Sequence, residues 1–372
     1  MNKQRIKVIQ LIEWFERGGG IEQITGEIVC GINPDRFDVE IWCVARPGSL
    51  VEVYRQKGFK VRVLNIRTYH NIFNIMKLVR LFREVKPDII HSHMYFAATI
   101  GRVAGKWAGV PCMINHVHST YWHYSKFNLW IERFLSRWTR KIVCVSEIVR
   151  DFVVNYERID SSKTMIVHNG IGKEDEHFDK RLFKESLQIP SNHSVIICVA
   201  SLLHNKGHHI LLESLSILKS RHVPFTCLIV GGGPEEQKLK DRAQKLGLVE
   251  EVLFLGTRHD VSKLLSIADV FVLVSLEREG LPVSILEAMA YGVCVVASQV
   301  GGIVEILKNG QNGILIPPYD PDVLAHYLVE LINDPQHRER LVKAALQTYQ
   351  EEFSREKMVD RLENLYEECL RS

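Results

Sequence analysis

The sequence predicts an α/β protein built from two doubly wound parallel sheets, each with its own core. Three observations lead to this prediction. Strand-like and helix-like segments alternate along the 372 residues, and many strand-like runs are apolar at every position, as expected of strands covered by helices on both faces. A polar stretch from Gly170 to Pro190 divides the alternation into two halves, and the chain is long enough for two cores.

The elements follow from runs of residues with strand or helix patterns. Amphipathic spacing predicts helices over residues 72–85, 96–108 and 355–370, the last with apolar positions that recur every three or four residues. We therefore expect domains at residues 1–180 and 181–352, followed by a terminal helix at 353–372. The expected strands span residues 6–12, 39–44, 60–64, 88–93, 112–116, 141–145, 164–167, 195–200, 225–230, 252–255, 270–274 and 293–297.

Composition excludes several classes of protein. The net charge of +3 is too small for a nucleic-acid binder that works by overall charge. The eight cysteines are scattered, and Cys144 and Cys198 lie inside apolar runs, so we expect buried free thiols in a reducing compartment. No Cys-x2-Cys pair indicates structural zinc, and no apolar run is long enough to span a bilayer. A cytoplasmic location is expected.

Two glycine-rich turns follow predicted strands. Gly18-Gly19-Gly20 comes after the first strand, and Gly231-Gly232-Gly233 comes after the strand at 225–230. Turns of this kind, between a strand and a helix, bind phosphate-bearing ligands in α/β proteins. Neither turn has the full Gly-x-Gly-x-x-Gly spacing, so a nicotinamide-dependent oxidoreductase is a weak alternative.

Four histidines lie at the ends of two predicted strands: His91 and His93 on one, His116 and His118 on the other. Functional groups of such sheets gather at the carboxyl ends of strands. A His-x-His pair can also bind metal. No metal site is expected here, because no carboxylate or cysteine sits at short ligand spacing and alternate residues of any strand share a face. A structural role remains open for His91 and His116.

The stretch from Glu277 to Gly292 reads as strand, tight loop and short helix. Pro282 suits the first helical turn, and Gly292 is a natural helix stop. Free N–H groups at the helix start attract phosphate, while Glu279 in the loop and Glu287 in the helix can accept hydrogen bonds from sugar hydroxyls. Lys206 opens another helix, after the strand at 195–200, where its charge can meet a diphosphate.

A basic and aromatic stretch runs from Lys126 to Lys141. Its apolar residues, which include Phe127, Trp130 and Phe134, recur at helical spacing, and basic residues occupy most other positions. Such a face can lie on an anionic membrane. The alternative, which the sequence favours slightly, is a helix that packs its aromatic side into the core and leaves its basic side in solvent.

Several of these motifs resemble family 4 glycosyltransferases. The order Glu-Gly-Leu-Pro-x4-Glu-Ala-Met-Ala-x-Gly, which starts at Glu279, resembles the Glu-x7-Glu motif of that family. Gly19-Gly20-Ile21-Glu22 matches its Gly-Gly-x-Glu turn, and the turn at Gly231 resembles its Val-Gly-x-Gly-Pro turn. The resemblance covers nearly the whole chain and is strongest from residue 195 to residue 318. It implies the GT-B architecture, in which two Rossmann-like domains face a cleft and the terminal helix returns to the first domain.

The resemblance also implies an activity. Family 4 enzymes transfer a hexose-type sugar from a UDP- or GDP-sugar with retention at the anomeric carbon, without metal or another cofactor. Many use a glycan or lipid-linked acceptor in surface polysaccharide biosynthesis, at the inner face of the membrane. By this resemblance His118, Lys206 and Glu279 are the catalytic candidates, and Glu22 and His93 are the acceptor-side candidates. The implied donor-binding residues are Gly19, Gly20, Gly231, Gly233, Thr257, Arg258, Gly280, Leu281, Pro282, Val283 and Glu287, the last of which holds the ribose.

The chain departs from the family pattern at Ser201, where an arginine is usual five residues before the lysine. Either another cation, such as His204 or one from the first domain, shares the phosphate charge, or the activity is weaker than is typical of the family. Two further alternatives stay open beside glycosyl transfer: another GT-B enzyme such as an epimerase or phosphorylase, and a non-catalytic sugar-binding relative, which Ser201 encourages.

Overall fold

The computed structural model describes residues 5–68, 71–122, 124–174 and 177–371. The chain divides into two compact units, Met1–Gly170 with Arg355–Ser372, and Ile171–Ser354. The divisions thus lie after residues 170 and 354, whereas the sequence placed them after 180 and 352. The reason is that Ile171 and Ser354 form a bridge to each other, so that the second unit is entered and left at adjacent points. Residues 175 and 176 of the predicted polar boundary lie outside the described residues.

The first unit is built on a parallel sheet of seven strands in the described part of the chain, in the order β3-β2-β1-β4-β5-β6-β7. Helices cover both faces, because each crossover between parallel strands must pass over one face of the sheet. The strands are β1 (Ile6–Ile12), β2 (Phe37–Cys43), β3 (Lys60–Val63), β4 (Ile89–His93), β5 (Cys112–Val117), β6 (Lys141–Cys144) and β7 (Thr164–Ile166). The helices between them are α1 (Gly20–Gly31), α2 (Leu50–Gln56), α3 (Ile72–Val85), α4 (Tyr95–Ala108), α5 (Lys126–Leu135) and α6 (Glu147–Asp151).

The second unit repeats the plan on a parallel sheet of six described strands, in the order β10-β9-β8-β11-β12-β13. The strands are β8 (Ser194–Val199), β9 (Phe225–Val230), β10 (Val252–Gly256), β11 (Val270–Leu273), β12 (Cys294–Ser298) and β13 (Ile314–Ile316). The helices are α7 (Lys180–Ser186), α8 (His208–Ser220), α9 (Glu236–Lys245), α10 (Val261–Ser266), α11 (Val283–Ala290), α12 (Ile303–Ile306), α13 (Pro321–Asn333) and α14 (Pro335–Thr348).

The last helix, α15 (Arg355–Arg371), is part of the first unit. It packs beside α1, and Arg36, next to the start of β2, binds its Glu363 at 2.6 Å. Its apolar positions, among them Met358, Leu362 and Tyr366, are buried, as the helical spacing predicts. This is the position that the resemblance implied for the terminal helix.

Capping residues fix several helix ends. The Asn71 side chain accepts a hydrogen bond from the Phe73 N–H at the start of α3, and Ser125 does the same for Asn128 in α5. Gly109 ends α4 with φ of 79°, a left-handed conformation that glycine adopts without steric cost. These short-range signals explain why the predicted helix bounds lie close to the observed ones.

The predicted strands are all present, with bounds that differ by up to two residues, but three details were wrong. The three-residue strand β13 was not expected, because a run this short carries no periodicity. Helix α5 ends at Leu135 rather than extending toward Lys141, since the chain turns into β6. Pro282 is the residue before α11, not within its first turn.

Both sheets are buried by apolar side chains, and Trp42 and Arg102 are among the largest fully buried residues of the first unit. All eight cysteines are free thiols, and seven of them are buried, as their apolar surroundings predict. Among the described residues, no helix is both long and apolar enough to cross a bilayer.

Candidate functional site

In the second unit, the topology itself marks a binding crevice. The strand order runs outward in one direction from β8 and in the other from β11. The loops that follow these two neighbouring strands therefore diverge and leave a crevice at the carboxyl edge of the sheet, where α/β proteins bind ligands. Lys206 lies in the loop after β8, and Glu279 lies in the loop after β11.

The structure brings these two side chains together. Nζ of Lys206 donates to Oε1 of Glu279 at 2.5 Å, and the Ser275 hydroxyl donates to the same oxygen. Glu279 is only 6% exposed, while the Lys206 side chain is 22% exposed. The lysine charge is therefore held at the mouth of the crevice by a buried carboxylate, which restricts its motion.

Backbone contacts dock the two loops against each other. The Leu276 N–H donates to the Asn205 carbonyl at 2.8 Å. Gly207, next to Lys206, has φ of 69°, and a Cβ there would lie 2.0 Å from the Val274 oxygen. Only glycine permits both this φ and this close approach.

A second glycine supports Glu279 from the other side. Gly301 has φ of 54°, and a Cβ there would lie 2.2 Å from the Glu279 carbonyl oxygen. The next residue, Gly302, donates its N–H to that oxygen at 2.9 Å. The loop after β12 thus holds the backbone of Glu279 in place.

The segment after Glu279 forms the start of α11. Gly280 and Leu281 are buried, Pro282 precedes the helix with φ of −68°, and Val283 is its first residue. Glu287 is half-buried on the second turn of the helix. The loop, the helix N-terminus and two carboxylates therefore follow one another as the sequence predicts.

The glycine turn after β9 packs against the loop after β8. Gly231 has φ of 136°, and a Cβ there would lie 2.0 Å from the Ala200 oxygen, while one on Gly233 would lie 2.5 Å from the Leu202 oxygen. Any side chain at either position would push the two loops apart. The glycines therefore serve the packing of this edge, and the Gly231 N–H donates to the Gly256 carbonyl of β10 at 2.8 Å.

Thr257 and Arg258 follow β10 at the same edge of the sheet. A Cβ on Gly232 would lie 3.3 Å from the Thr257 hydroxyl, so Thr257 adjoins the glycine turn. Arg258 is not merely solvated: its guanidinium binds both carboxylate oxygens of Asp260, at 2.8 and 2.7 Å. This pairing holds the Arg258 side chain to its own loop.

Ser201 leaves no arginine in the loop after β8, and His204 does not take that place directly. The His204 ring stacks on His209 with centroids 4.9 Å apart, and its Nδ1 lies 4.0 Å from a carboxylate oxygen of Glu235. The charge of His204, when protonated, is therefore turned toward an acidic partner. Lys206 is the cation that the structure places against Glu279.

The first unit has a corresponding switch point between β1 and β4. Gly19 and Gly20 follow β1, and Gly20 begins α1. Glu22 in the first turn of α1 is buried, and burial raises the pKa of its carboxyl. A Cβ on Gly19 would lie 2.0 Å from a Glu22 carboxylate oxygen, so the Glu22 carboxylate lies directly against the glycine turn, and a side chain at Gly19 would displace it.

The four histidines form one buried cluster at this edge. The rings of His116 and His118 stack with centroids 4.1 Å apart, and those of His91 and His116 stack at 5.2 Å. Burial lowers the pKa of His91 and of His118 to about 3, and it lowers the pKa of His93 and His116 well below the ordinary value. All four imidazoles are therefore neutral at pH 7.

Hydrogen bonds tie this cluster to β1 and α15. Nε2 of His118 lies 3.0 Å from Nδ1 of His93, and Nε2 of His93 lies 2.8 Å from Oε1 of Gln10. The Gln10 amide donates to the Tyr366 hydroxyl at 2.9 Å, which in turn lies 2.7 Å from Nδ1 of His91. Gln10 and Tyr366 were not predicted from the sequence, since they occupy ordinary positions of a strand and a helix and belong to no motif.

Three of these histidines are close enough together to offer ligands to one metal ion. His91, His93 and His116 each offer a nitrogen, and these nitrogens lie within 4.8 Å of one another. Both nitrogens of His93 are already engaged, however, by His118 and Gln10. A cation would have to break one of these bonds in a fully buried place, so the cluster fits a hydrogen-bonded core better than a metal centre.

The basic and aromatic helix α5 presents its aromatic side outward. Phe127 is 62% exposed and Trp130 is 58% exposed, whereas the inward Glu132 binds the buried guanidinium of Arg102 at 2.6 and 2.8 Å. The core-packing interpretation favoured by the sequence is therefore wrong for these aromatic residues. Helical spacing alone does not reveal which side faces inward, and here a buried ion pair decides it.

A second exposed apolar group lies at the start of α3. Phe73 is 79% exposed, and Ile72 and Met76 beside it are also exposed. The sequence predicted the helix but not this exposure. Its three exposed positions precede the buried Leu78, Val79 and Phe82 of the same helix.

Comparison with known families decides the identity. The family description "Glycosyl transferases group 1" matches residues 179–348, and "Glycosyltransferase Family 4" matches residues 18–174. The chain is a family 4 glycosyltransferase.

Individual glycosyltransferases are similar over nearly the full length. The chain is 27% identical over 381 residues to the UDP-Gal:alpha-D-GlcNAc-diphosphoundecaprenol alpha-1,3-galactosyltransferase of Escherichia coli, which covers 98% of this chain and 97% of that protein. It is also 27% identical over 335 residues to the N,N'-diacetylbacillosaminyl-diphospho-undecaprenol alpha-1,3-N-acetylgalactosaminyltransferase of Campylobacter jejuni, over 84% of this chain and 87% of that one.

Solved glycosyltransferase structures share the fold. Anabaena HepE in complex with UDP-glucose superposes with a TM-score of 0.86 at 22% identity, over 98% of this chain and all of that one. A glycosyltransferase from Rickettsia africae gives 0.86 at 23% identity over the full length of both. The fold of this glycosyltransferase is therefore the two-domain GT-B fold that the sequence motifs implied.

Proposed function

We propose that this glycosyltransferase transfers a hexose-type sugar from a nucleoside-diphosphate sugar, with retention of anomeric configuration, to a lipid-linked or glycan acceptor. The observation that carries the proposal is the Lys206–Glu279 pair at the switch point of the second sheet. A cation fixed beside a carboxylate, in a loop that packs against the glycine turn after β9 and near the start of α11, suits a diphosphate leaving group joined to a sugar.

Lys206 has the role of neutralising the charge that develops on the diphosphate as the glycosidic bond breaks. Nζ of Lys206 keeps donors beyond the one given to Glu279, because an ammonium has three. The partial positive charge at the start of α11 adds to this stabilisation. The reaction in this proposal needs neither a metal ion nor another cofactor, since these groups supply the positive charge.

The remaining roles are assigned to side chains that can bind hydroxyl groups. Glu279 lies close to the transferred sugar, and Glu287 on α11 accepts hydrogen bonds from the ribose hydroxyls. His118 binds a sugar hydroxyl, and Glu22 and His93 are on the acceptor side. The backbone around Thr257 contacts the base. Attack from the face of the leaving diphosphate gives retention without a protein nucleophile.

The donor is proposed to be UDP-linked, with GDP as the second candidate. The Escherichia coli relative is named for UDP-galactose, and Anabaena HepE is described with UDP-glucose. Both the Escherichia coli and the Campylobacter jejuni relatives are named for acceptors on a diphospho-undecaprenol carrier. A lipid-linked acceptor of surface polysaccharide biosynthesis is therefore proposed here as well.

Such an acceptor lies in a membrane, and α5 gives this protein a surface for it. Phe127 and Trp130 are exposed, and Arg133 and Arg137 are exposed beside them. Aromatic side chains that enter the lipid interface, with arginines that meet anionic headgroups, are the composition of peripheral membrane helices. We propose that the enzyme works in the cytoplasm, bound to the inner face of the membrane.

The test is a screen of UDP- and GDP-sugars for thermal stabilisation and for donor hydrolysis, followed by Lys206→Ala with the best donor. Turnover by the variant is expected to fall at least about tenfold, because one group facing the developing charge is lost. Lys219→Ala, on an exposed lysine of the same unit paired with Glu251, is the matched control. If no nucleotide or nucleotide sugar binds, the proposal is wrong, and a non-catalytic role gains support.

A further inference from the structure

A continuous hydrogen-bonded chain runs from His118 through the sheet to α15. Its four links are His118 to His93, His93 to Gln10, Gln10 to Tyr366 and Tyr366 to His91. We propose that Tyr366 and Gln10 are positioning residues that hold His118 as its Nε2–H tautomer and leave Nδ1 as a hydrogen-bond acceptor. The consequence for substrate rests on the proposed function; the tautomer itself does not.

The direction of the chain is set at Gln10. Its amide nitrogen donates to the Tyr366 hydroxyl oxygen, which leaves its carbonyl oxygen Oε1 facing Nε2 of His93. A carbonyl oxygen can only accept. Nε2 of His93 must therefore carry a proton and donate it to Gln10.

The remaining ring proton positions follow from neutrality. Because burial lowers the pKa of His93 well below its ordinary value, the ring has one proton, and Nδ1 is bare. It can then only accept from Nε2 of His118. Burial lowers the pKa of His118 to about 3, so this ring is also neutral, with its single proton on Nε2 and a lone pair on Nδ1.

The hydrogen bonds of Tyr366, at the other end of this series, are compatible with the same donor-to-acceptor direction. Burial raises the pKa of Tyr366 above the ordinary tyrosine value, so its hydroxyl keeps a proton. The hydroxyl oxygen accepts from Gln10, and its proton is left to donate to Nδ1 of His91. All four protons thus point from His118 toward His91, and each link has one donor and one acceptor.

This arrangement makes His118 selective for what it binds. A bare Nδ1 accepts from a hydroxyl or an N–H group, and it repels a phosphate or carbonyl oxygen, which can only accept. Under the proposed function, Nδ1 of His118 receives the proton of a sugar hydroxyl. Tyr366, contributed by the last helix of the chain, therefore sets the chemistry of His118, the residue immediately after β5, through Gln10 and His93.

The experiment is 15N NMR of the full chain labelled at its histidine rings, with His118→Gln used to assign the His118 signals. Long-range proton–nitrogen correlations distinguish protonated from bare ring nitrogens. We expect a protonated Nε2 and a bare Nδ1 for His118 at pH 7, without any donor present. A protonated Nδ1 would overturn the proposal, because the chain would then run in the opposite direction.

Tyr366→Phe tests the positioning role. With no hydroxyl to receive its N–H, the Gln10 amide is free to turn over, and the His118 signals are expected to change to a mixture of two tautomers. Tyr54→Phe is the matched control, since Tyr54 is a half-buried tyrosine of the same unit whose hydroxyl lies against Cys30 instead. It should leave the His118 signals unchanged. An unaltered tautomer in folded Tyr366→Phe would rule out the positioning role.

The substrate consequence is measured separately. Where the wild type turns over a donor, Tyr366→Phe should lower kcat at least about twofold, since half or fewer of the molecules then carry the acceptor nitrogen. Tyr54→Phe should retain full kcat. If the predicted tautomer is found but no nucleotide sugar is turned over, the proposed function fails while the tautomer assignment stands.

Discussion

Glu279 holds Lys206 at 2.5 Å across the switch point of the second sheet, and the same carboxylate oxygen accepts from Ser275. Glu279 belongs to the Glu-x7-Glu motif, whereas Lys206 comes 73 residues earlier. The parallel pairing of β8 with β11 makes the two loops neighbours. The pair shows that Glu279, whose motif predicts a sugar ligand, also positions the cation that we propose meets the diphosphate.

The burial of the Glu279 carboxylate beside Lys206 predicts an effect on stability. Lys206→Met should lower the free energy of unfolding by about 2–3 kcal/mol, because a mostly buried carboxylate loses its cation. The double variant Lys206→Met with Glu279→Gln should recover most of that loss. Urea unfolding measures both. Lys219→Met, which breaks a more exposed pair with Glu251, should cost less than about 1 kcal/mol; an equal cost would contradict the prediction.

Gly301 is not one of the proposed substrate-binding residues, but its contact with Glu279 predicts an effect on donor turnover. Gly301→Ala introduces a methyl group 2.2 Å from the Glu279 carbonyl, so the Glu279 loop must move, and donor turnover should fall at least about tenfold. Gly310→Ala is the control: its φ of 71° carries similar backbone strain, but nothing lies within 4 Å of the new methyl group. It should lose about 1 kcal/mol of stability and keep its turnover. If the two variants had equal turnover, displacement of the Glu279 loop would have no effect of its own, which would contradict the prediction.

The histidine cluster predicts loss of stability in acid. The folded pKa of His91 and His118 is about 3, below the ordinary value of 6.5. Between these values the unfolded chain binds protons that the folded chain excludes, so stability falls as pH falls from 6.5 toward 3. Each such histidine should cost about 2 kcal/mol between pH 7 and pH 5.

His116→Phe checks this dependence. Neither ring nitrogen of His116 has a hydrogen-bond partner among the described residues, so phenylalanine loses no bond there and removes one excluded proton. Urea unfolding at pH 7 and pH 5 should show a smaller acid loss in the variant than in the wild type. Burial raises the pKa of Glu157 to about 8, so this residue adds stability as the pH falls, opposite to the histidines. Its contribution is the same in the variant and the wild type and therefore cancels in the comparison. His326→Gln, at an exposed histidine, should match the wild type. An unchanged acid loss in His116→Phe would mean that His116 is not held neutral.

The aromatic face of α5 predicts membrane binding. Trp130→Ser should weaken binding to vesicles that contain anionic phospholipid by about tenfold, because an exposed indole no longer enters the interface. Binding of the wild type should also weaken with salt, since basic residues contribute. Vesicle sedimentation measures this. Val249→Ser removes an exposed apolar residue of the second unit and should have no effect; loss of binding in both variants would point to non-specific adsorption.

Prediction from sequence succeeded where the signal is local. Apolar runs identified β4 and β5, helical spacing identified α3 and α15, and the Glu279-to-Gly292 motif predicted the loop and helix of the second unit. It failed where orientation is decided by distant partners. The outward aromatic side of α5 depends on the ion pair between Glu132 and Arg102, and the short strand β13 exists because β12 offers it an edge.

For this protein, the sequence by itself determined the two parallel sheets and the family, and it named the candidate site residues, because these depend on periodicity and on short motifs. Only the tertiary structure decided which of those residues act together. Lys206 meets Glu279, and His118 is joined to Tyr366 through His93 and Gln10, across separations of up to 356 residues within one chain. Strand order and helix packing create these contacts, and no local pattern encodes which proton each nitrogen keeps.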